Sequence, residues 1–316
     1  MCVPSPVGRP GVRLWLLALL VLAAACSDAP TRPSPLPPQT PAPGAGTPPP
    51  TGSVPLPPVT FVGAGDIARC NHPGAEMTAR LLDAIPGTVF TTGDNAYDRG
   101  TEREFRECYG PTWGRHRDRT HPAPGNHEYE TAGALPYYDY FGAQAGPRGV
   151  GYYAYRLGEW EIFSLNSNVP AGPGSAQYQW LAAELARRPS RCSLAYWHHP
   201  VISEGKYGKF DQMRAVWALL VEHGADVVLT GHDHNYQRFV PLGADLRPDD
   251  RRGIRQFVIG TGGTDVYPFT KPATHAESRG EDLGVVRFTL GSDSYEWDFV
   301  PVAGASFRDS GRDACR

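Results

Sequence analysis

Short apolar runs punctuate the chain between residues 59 and 230. Four of them span residues 59–64, 88–92, 192–197 and 226–230, and each stops at a Gly, His or Pro-containing segment. Runs of this length, rich in β-branched and aromatic residues and bounded by turn formers, predict buried β-strands.

Three segments between these runs carry apolar residues at helical spacing. They are marked by Met77, Leu81 and Ile85, by Tyr178, Leu181 and Leu185, and by Phe210, Met213, Trp217 and Leu220. We expect these stripes to belong to the core. Alternation of strand and helix favours parallel βαβ units. After Gly231 the pattern changes to strands at 254–260, 284–290 and 295–300, which predicts a second, antiparallel sheet stacked on the first.

Five polar segments stand beside chain breaks, and four of them directly follow a predicted strand. They are Gly65-Asp66, Gly93-Asp94-Asn95-Ala96-Tyr97, Gly125-Asn126-His127-Glu128, Trp197-His198-His199-Pro200 and Gly231-His232-Asp233-His234. Each segment alone is equally typical of a turn or a helix cap. Together they place oxygen and imidazole ligands at the carboxyl ends of strands, where α/β sheets bind ligands. The combination favours a site for a pair of catalytic metal ions.

Composition and net charge argue against nucleic acid as a binding partner. The 316 residues are 41% hydrophobic and 11% aromatic, which is enough for a sizeable core, and the net charge is −3 with a pI near 6.4. Nucleic-acid backbone binding needs a concentrated Lys/Arg surface. The longest basic stretch, residues 115–119, is interrupted by His116 and Asp118. A nucleic-acid scaffold role is therefore not expected.

The first 26 residues read as an export signal. Arg9 and Arg13 precede an apolar run over residues 14–25, and small residues precede Cys26. This arrangement is typical of a signal peptide, with a retained anchor as the alternative. The small residues also indicate a lipoprotein-type signal, in which Cys26 would be lipidated and tether the protein to a membrane. We expect an exported protein, either a cell-envelope lipoprotein (periplasmic or on the outer surface) or, after ordinary cleavage, a secreted one.

Residues 27–58 form a Pro-rich segment before the predicted catalytic domain at 59–316. Pro occupies 13 of the 30 positions from 29 to 58. Such a composition cannot bury enough apolar surface to offset the entropy of ordering, so we expect a disordered, extended linker.

Four cysteines remain in the predicted domain, which is an even number in an exported chain and predicts disulfides. They are Cys70, Cys108, Cys192 and Cys315, and they allow three pairings. We favour Cys70–Cys108 with Cys192–Cys315. No Cys-x-x-Cys motif supports a thiolate zinc site.

The order and residue sequence of the polar segments resemble the motifs of the calcineurin-like metallophosphoesterase superfamily, and within it those of the purple acid phosphatase-like branch. The resemblance extends over roughly residues 59–300. The resemblance implies a four-layer α/β/β/α sandwich of two stacked mixed sheets flanked by helices. It also implies two metal ions bridged by Asp94. The first ion would be bound by Asp66, Asp94, Tyr97 and His234, and the second by Asp94, Asn126, His198 and His232.

Tyr97 selects the branch. Many members of the superfamily have Asp-x-His at the first motif, but the sequence here is Asp66-Ile67-Ala68, and Tyr97 stands three residues after Asp94. A tyrosinate implies Fe³⁺ at the first position, with Zn²⁺, Mn²⁺ or Fe²⁺ at the second; a packed aromatic without metal is the alternative. Two features depart from the family pattern: Ala68 replaces a usual Gly, and residues 201–209 lack the extra histidines of plant and animal acid phosphatases.

The resemblance implies a metal-dependent phosphoric ester hydrolase, and the N-terminal signal predicts that this enzyme is exported. A hydroxide that bridges the metals would attack a phosphate monoester of a small molecule, and His127 would assist the leaving group unless it is merely structural. Glu128 would orient that imidazole, whereas His199 would pack and His275 would lie on the surface. Lys206 and Tyr207 are candidates for facing substrate. The alternatives are a phosphodiesterase or nucleotidase with the same metals, and a non-catalytic, lipid-anchored binding protein. Physiological substrate and oligomeric state stay open.

Overall fold

The computed structural model of the protein describes residues 56–187 and 190–316. The predicted export signal and nearly all of the predicted linker lie outside the described residues. Within the described ranges, no helix has the length and apolar content needed to cross a membrane.

The described part of the chain contains fifteen strands, several of which are very short. In chain order they are β1 (Val59–Ala64), β2 (Ala68–Arg69), β3 (Thr88–Thr92), β4 (Ala96–Tyr97), β5 (Thr120–Ala123), β6 (Tyr153–Leu157), β7 (Trp160–Ser164), β8 (Cys192–Tyr196), β9 (Val227–Thr230), β10 (Tyr236–Phe239), β11 (Arg255–Ile259), β12 (Ala276–Gly280), β13 (Gly284–Leu290), β14 (Ser294–Pro301) and β15 (Ser310–Ala314).

Helices connect the strands on the outer faces. The α-helices are α1 (Gly74–Ala84), α2 (Glu102–Glu104), α3 (Asn126–Tyr129), α4 (Leu135–Phe141), α5 (Ala176–Arg187) and α6 (Arg214–Glu222). A π-helical turn spans Phe105–Tyr109, and 3₁₀ turns span Trp113–Arg119, Ala132–Ala134, Gly142–Ala145 and Asp211–Met213.

The first sheet has six strands in the order β15-β14-β13-β1-β3-β5. Strands β1, β3 and β5 are parallel, with Phe61 opposite Thr88 and Val89 opposite Thr120. On the other side of β1, β13 runs antiparallel and places Phe288 opposite Phe61. The sheet is therefore mixed, with a parallel half that carries the predicted motifs.

The second sheet has seven strands in the order β12-β10-β11-β9-β8-β7-β6. Strands β7, β8, β9 and β11 are parallel, whereas β6, β10 and β12 join antiparallel. The prediction of a separate antiparallel sheet after Gly231 is wrong. Strands β13–β15 instead extend the first sheet from the unpaired edge of β1, and β10–β12 extend the second, because each parallel strand set offers an edge that needs hydrogen-bond partners.

Aromatic side chains fill the space between the two sheets. The rings of Phe61 and Phe90 lie 4.6 Å apart, and both approach Tyr196 of the second sheet at about 6 Å, with centroid distances of 6.0 and 6.1 Å. Phe257 of the second sheet meets Phe288 of the first edge-to-face at 5.3 Å. These contacts bury large apolar areas and hold the sheets face to face.

The outer faces complete four layers, which confirms the predicted α/β/β/α class. Helices α5 and α6 cover the second sheet, where Leu181 and Trp217 pack with Trp197 and Val228 in one buried cluster. Helix α1 covers the first sheet through residues such as Leu82.

Two details of the helix predictions are wrong. Met77 is 37% exposed, because the buried face of α1 is formed by smaller residues at Ala75, Thr78 and Ala79. Phe210 is extended rather than helical (φ −121°, ψ 103°), because α6 begins four residues later and Phe210 stacks on His199 instead.

Both favoured disulfides are present. Cys70 pairs with Cys108, and Cys192 pairs with Cys315 across a sequence separation of 123 residues. The second bridge joins the start of β8 in the second sheet to the residue after β15 in the first. Cross-links that close long loops restrict the unfolded chain most.

Candidate metal centre

The polar segments lie after parallel strands of both sheets. From the first sheet come Asp66 after β1, Asp94 and Tyr97 after β3, and Asn126 after β5. From the second sheet come His198 after β8 and His232 and His234 after β9. The stacked sheets bring all seven residues together at one edge of the sandwich.

Three of these residues adopt left-handed backbone conformations, with φ of 63° at Asp66, 51° at Asp94 and 71° at His232. Such angles are uncommon outside glycine and cost on the order of 1–3 kcal/mol each. Surrounding hydrogen bonds hold them: Asp66 N donates to Gly93 O at 3.0 Å, and His232 N donates to the Asp66 carboxylate at 2.9 Å. The strained backbone aims the side chains inward.

Four side chains meet around the Tyr97 hydroxyl, and we call Asp66, Asp94, Tyr97 and His234 the first ligand set. The Tyr97 Oη lies 2.9 Å from Asp66 Oδ1, 3.0 Å from Asp94 Oδ2 and 3.2 Å from His234 Nε2. His234 Nε2 is 3.3 Å from Asp66 Oδ1. Atoms that bind one ion at about 2.1 Å, at right angles to each other, lie about 3 Å apart. The spacing of the first set therefore suits one ion.

The second ligand set consists of Asp94, Asn126, His198 and His232. His198 Nε2 lies 3.0 Å from Asn126 Oδ1 and 3.1 Å from Asp94 Oδ2. The His232 ring is less close, with its centroid 5.1 Å from that of His198. Asp94 Oδ2 touches members of both sets, so this carboxylate is the common element of the site.

Backbone carbonyls fix the orientation of two imidazoles. His198 Nδ1 lies 2.8 Å from Thr92 O, and His234 Nδ1 lies 2.7 Å from Asp265 O. A carbonyl can only accept, so both Nδ1 atoms carry the proton and donate. Nε2 of each ring then faces the carboxylates, and an Nδ1 that donates to a carbonyl is the arrangement usual for histidines that bind a metal through Nε2.

The donor set requires positive charge. Burial alone would lower the pKa of His198, but the Asp94 carboxylate raises it to about 9. Burial and the Asp66 and Asp94 carboxylates raise the pKa of Tyr97 well above its usual range. Protons thus substitute for cations where acceptor atoms face one another. A metal ion would be bound by the same atoms and would favour the ionised, phenolate form of Tyr97 over the protonated phenol. The residues present fit metal ions.

Glu128 holds the loops that carry Asp94 and Asn126. Its buried carboxylate accepts hydrogen bonds from four backbone N–H groups: Gly125 at 2.7 Å, Asn95 at 2.8 Å, Asp94 at 3.0 Å and Ala96 at 3.2 Å. Burial and the nearby Asp94 carboxylate raise the pKa of Glu128 to about 7. One side chain therefore ties the end of β3 to the start of α3.

His127 is positioned by a different group from the one predicted. Its Nδ1 donates to Asp98 O at 2.5 Å, and its Nε2 faces the site at 3.8 Å from Asp94 Oδ2. The ring lies 4.3 Å from that of Tyr97, and 29% of the side chain is exposed. The expectation that Glu128 orients this imidazole is wrong, because both Glu128 carboxylate oxygens accept hydrogen bonds from backbone N–H groups.

His199 packs against the site as expected. Its Nδ1 lies 2.8 Å from Ser167 Oγ, and its ring stacks on Phe210 at 4.3 Å. Burial and the neighbouring His198 lower its pKa to about 2.

Two tyrosines cover the histidines that follow β9. Tyr207 stacks on His232 at 4.6 Å, and Tyr267 stacks on His234 at 4.2 Å with 11° between the rings. The sequence does not predict that Tyr267 or the Asp265 carbonyl contributes to the site, because both lie in an irregular segment with no motif or periodicity. His275 is half-buried and donates its backbone N–H to Glu204.

A further group of ligand-type atoms at Cys192, Asp226 and Cys315 lies at the opposite end of β8. Both sulfurs are joined in the disulfide described above, so they are not available to a metal.

A model of the calcineurin-like phosphoesterase family matches residues 59–236, which is more than half of the chain. The chain belongs to this family. The matched region covers all seven residues of the two ligand sets and His127. The predicted superfamily is thereby confirmed, and its metal-dependent phosphoric ester hydrolase chemistry agrees with the donor set.

Similar proteins include purple acid phosphatases. Purple acid phosphatase 21 of Arabidopsis thaliana is 29% identical over 230 residues, which cover 65% of this chain and 50% of that protein. An uncharacterized protein of Mycobacterium tuberculosis is 32% identical over 185 residues, which cover 45% and 35%. The chain thus matches half or less of the length of these relatives. The similarity to purple acid phosphatase 21 supports the purple acid phosphatase-like branch.

The fold agrees with a solved relative. The purple acid phosphatase from yellow lupin (Lupinus luteus) seeds superimposes with a TM-score of 0.65 at 18% identity, covering 81% of this chain and 53% of that one.

Proposed function

We propose that this phosphoesterase hydrolyses phosphate monoesters of small molecules with two metal ions. The observation that carries the proposal is Asp94 Oδ2, which lies 3.0 Å from Tyr97 Oη in the first ligand set and 3.1 Å from His198 Nε2 in the second. A single carboxylate oxygen between two converging donor sets is what a shared ligand of two ions requires.

The two ions, when bound, would neutralise charge on the phosphoryl oxygens and lower the pKa of water so that hydroxide is available near neutral pH. Tyr97, as a phenolate, favours Fe³⁺ in the first set. The nitrogen and oxygen donors of the second set suit Zn²⁺, Mn²⁺ or Fe²⁺.

His127 has the position of a general acid. Its Nδ1 proton is held by the Asp98 carbonyl, which leaves Nε2 as the atom that exchanges a proton at the site. In the reaction water first releases a proton to solvent, and the resulting hydroxide oxygen bonds to phosphorus while the bond from phosphorus to the ester oxygen breaks. The leaving oxygen takes a proton from Nε2 of the protonated His127 ring, and solvent then returns a proton to Nε2. The products are the alcohol and inorganic phosphate.

Metal analysis together with two substrates tests the proposal. Purified protein should contain close to two metal ions per chain and should hydrolyse 4-nitrophenyl phosphate faster than bis(4-nitrophenyl) phosphate. Cleavage of the diester alone would favour the phosphodiesterase alternative. A metal-free protein that stays inactive after incubation with Fe³⁺ and Zn²⁺ would favour the non-catalytic binding protein.

We also propose that the protein is exported and tethered through Cys26, on the strength of the signal-like pattern in residues 1–26. Membrane fractionation of the full chain should recover it with the envelope, and Cys26→Ser should release it. Recovery of both forms in the cytoplasm would contradict export.

A further inference from the structure

A loop beside the metal centre is anchored to the same segment that carries His232 and His234. Asp233, between these histidines, accepts hydrogen bonds from Ser203 Oγ and, at 2.9 Å, from Tyr207 N. Gln237 also donates to Ser203 Oγ at 2.8 Å. The loop at residues 203–208 is therefore fixed relative to the two imidazoles.

This loop presents one aromatic ring and one ammonium group at the mouth of the site. Tyr207 stacks on His232 but keeps half of its surface, 50%, exposed to solvent. Lys206 Nζ lies 4.2 Å from the ring centre of Tyr267, and that ring lies 4.2 Å from the His234 ring. The Tyr267 ring thus lies between the Lys206 ammonium and the His234 imidazole and contacts both.

A cavity of about 440 Å³ borders the loop. Lys206, Tyr207, Lys271 and Pro272 line part of it. In the part of the chain that the structure describes, neither lysine forms an ion pair with a carboxylate. Lys206 Nζ lies over the rings of Tyr207 and Tyr267, so its charge meets aromatic faces and is not neutralised by an opposite charge.

The one carboxylate in the cavity wall is already engaged. Glu204 Oε1 accepts hydrogen bonds from Thr274 N at 2.8 Å and His275 N at 2.6 Å, and Arg279 lies 3.9 Å from Oε2. The charge of Glu204 is therefore opposed by local donors and a guanidinium, and the two lysines leave the cavity electropositive.

We propose that this cavity is a leaving-group subsite for a second phosphate, so that the preferred substrates are small molecules carrying two phosphate groups. The proposal rests on the proposed function, since one phosphate must occupy the metal centre. Lys206 and Lys271 would bind the remote phosphate, and the exposed face of Tyr207 would support the carbon skeleton between the two. Binding energy from the remote group would then raise kcat/KM.

Matched substrates test the subsite in the metal-loaded, full-length protein. We expect kcat/KM for fructose 1,6-bisphosphate to exceed that for fructose 6-phosphate by about tenfold, since two partly exposed charge contacts together contribute on that order. Lys271→Gln should reduce the ratio about threefold. The Lys206→Gln/Lys271→Gln double variant should bring it close to one.

Lys209 provides the matched control. It lies on the neighbouring chain segment, is 66% exposed and pairs with Asp211 at 3.5 Å, and it is not among the residues that line the cavity. Lys209→Gln should leave the ratio unchanged. Active wild-type protein with a ratio near one, or an equal loss in Lys209→Gln and Lys271→Gln, would overturn the subsite.

A binding measurement separates the subsite from the proposed function. Calorimetry with the non-hydrolysable propane-1,3-bisphosphonate and propylphosphonate should show about tenfold tighter binding of the first, with the difference lost in the double variant. If the protein turns over no ester but shows this difference, the subsite stands and the proposed function fails. Equal binding of the two phosphonates would overturn the subsite.

Discussion

The two ligand sets share Asp94 but differ in how completely they are assembled. In the first set, Tyr97 Oη contacts three other members at 2.9–3.2 Å. In the second, His198 and Asn126 converge on each other. The His232 imidazole forms no hydrogen bond with the described residues and instead packs against the rings of His198, His199 and Tyr207. The first position is therefore preorganised, whereas the second would be completed only when an ion binds. We therefore expect the first ion to be held more tightly.

The largest effect should follow loss of the shared carboxylate. Asp94→Ala removes a ligand from both sets and also the acceptor of the His127 N–H, at 2.9 Å. We expect loss of both ions and a fall in kcat/KM of more than about 100-fold, since even residues behind metal ligands cost 10–100-fold. Elemental analysis with steady-state kinetics checks this. Retention of one full equivalent of metal would contradict the shared role.

Substitutions unique to each set should have opposite signatures. Tyr97→Phe should weaken iron binding by at least about tenfold and abolish any phenolate-to-iron absorption band. His232→Gln should leave that band intact and weaken the divalent ion instead.

Equilibrium dialysis and visible spectroscopy on the same samples measure both effects. An unchanged spectrum and metal content in Tyr97→Phe would show that Tyr97 is only a packed aromatic. Equal loss of both ions in both variants would remove the distinction between the sets.

Glu128→Gln should disturb both sets through the backbone. An amide has a single acceptor oxygen and would turn its own N–H₂ towards buried N–H groups, whereas the carboxylate accepts four such bonds. We expect a loss of about 2–3 kcal/mol in the free energy of unfolding, and about tenfold weaker binding of each ion. Chemical denaturation and metal titration check the two parts. Glu130→Gln, at the end of the same helix, is the control that should change neither.

The smallest expected effect concerns Asp226, a buried carboxyl that belongs to neither ligand set and affects stability alone. Burial raises the pKa of Asp226 to about 6 from an ordinary value of 3.8, despite hydrogen bonds from Ser193 N and Arg316 N. Between about pH 4 and 6 the folded state then binds more protons than the unfolded state, so this group makes stability fall as pH rises.

Asp226→Asn removes that penalty. The amide keeps one acceptor oxygen for the two N–H groups, and this cost does not depend on pH. The difference in free energy of unfolding between variant and wild type should therefore be about 1–2 kcal/mol more favourable at pH 7.5 than at pH 4, with the metal content unchanged. Denaturant titrations at the two pH values measure the difference. A gain at pH 4 equal to that at pH 7.5 would exclude the ionisation of Asp226 as the cause.

The elements carrying the first set were predictable because their signals are local. Residues 59–64 and 88–92 are β-branched runs that stop at glycine, and the structure has strands with these same bounds. The polar residues that follow could be grouped because parallel strands end at the same edge.

The supports of the site were not predictable from the sequence. The carbonyls of Thr92 and Asp265 orient His198 and His234, but backbone groups carry no residue signature. The role of Glu128 depends on a turn geometry that brings four N–H groups to one carboxylate. The destination of the C-terminal strands depends on which strand edges are left unpaired, which is a property of the assembled sheets.

The Cys192–Cys315 disulfide and the candidate metal centre lie at opposite ends of β8. The bridge joins the two sheets where β8 begins, and ions held by Asp66 and Asp94 from one sheet and by histidines from the other would join them again where β8 ends. The two sheets would then be linked at both ends of β8, by a covalent bond at one end and by ions at the other. A chelator would open one end while the other stays covalently closed, so the ions could leave and return without the sheets separating. Chelation and reduction together should therefore destabilise the protein more than the sum of the two treatments.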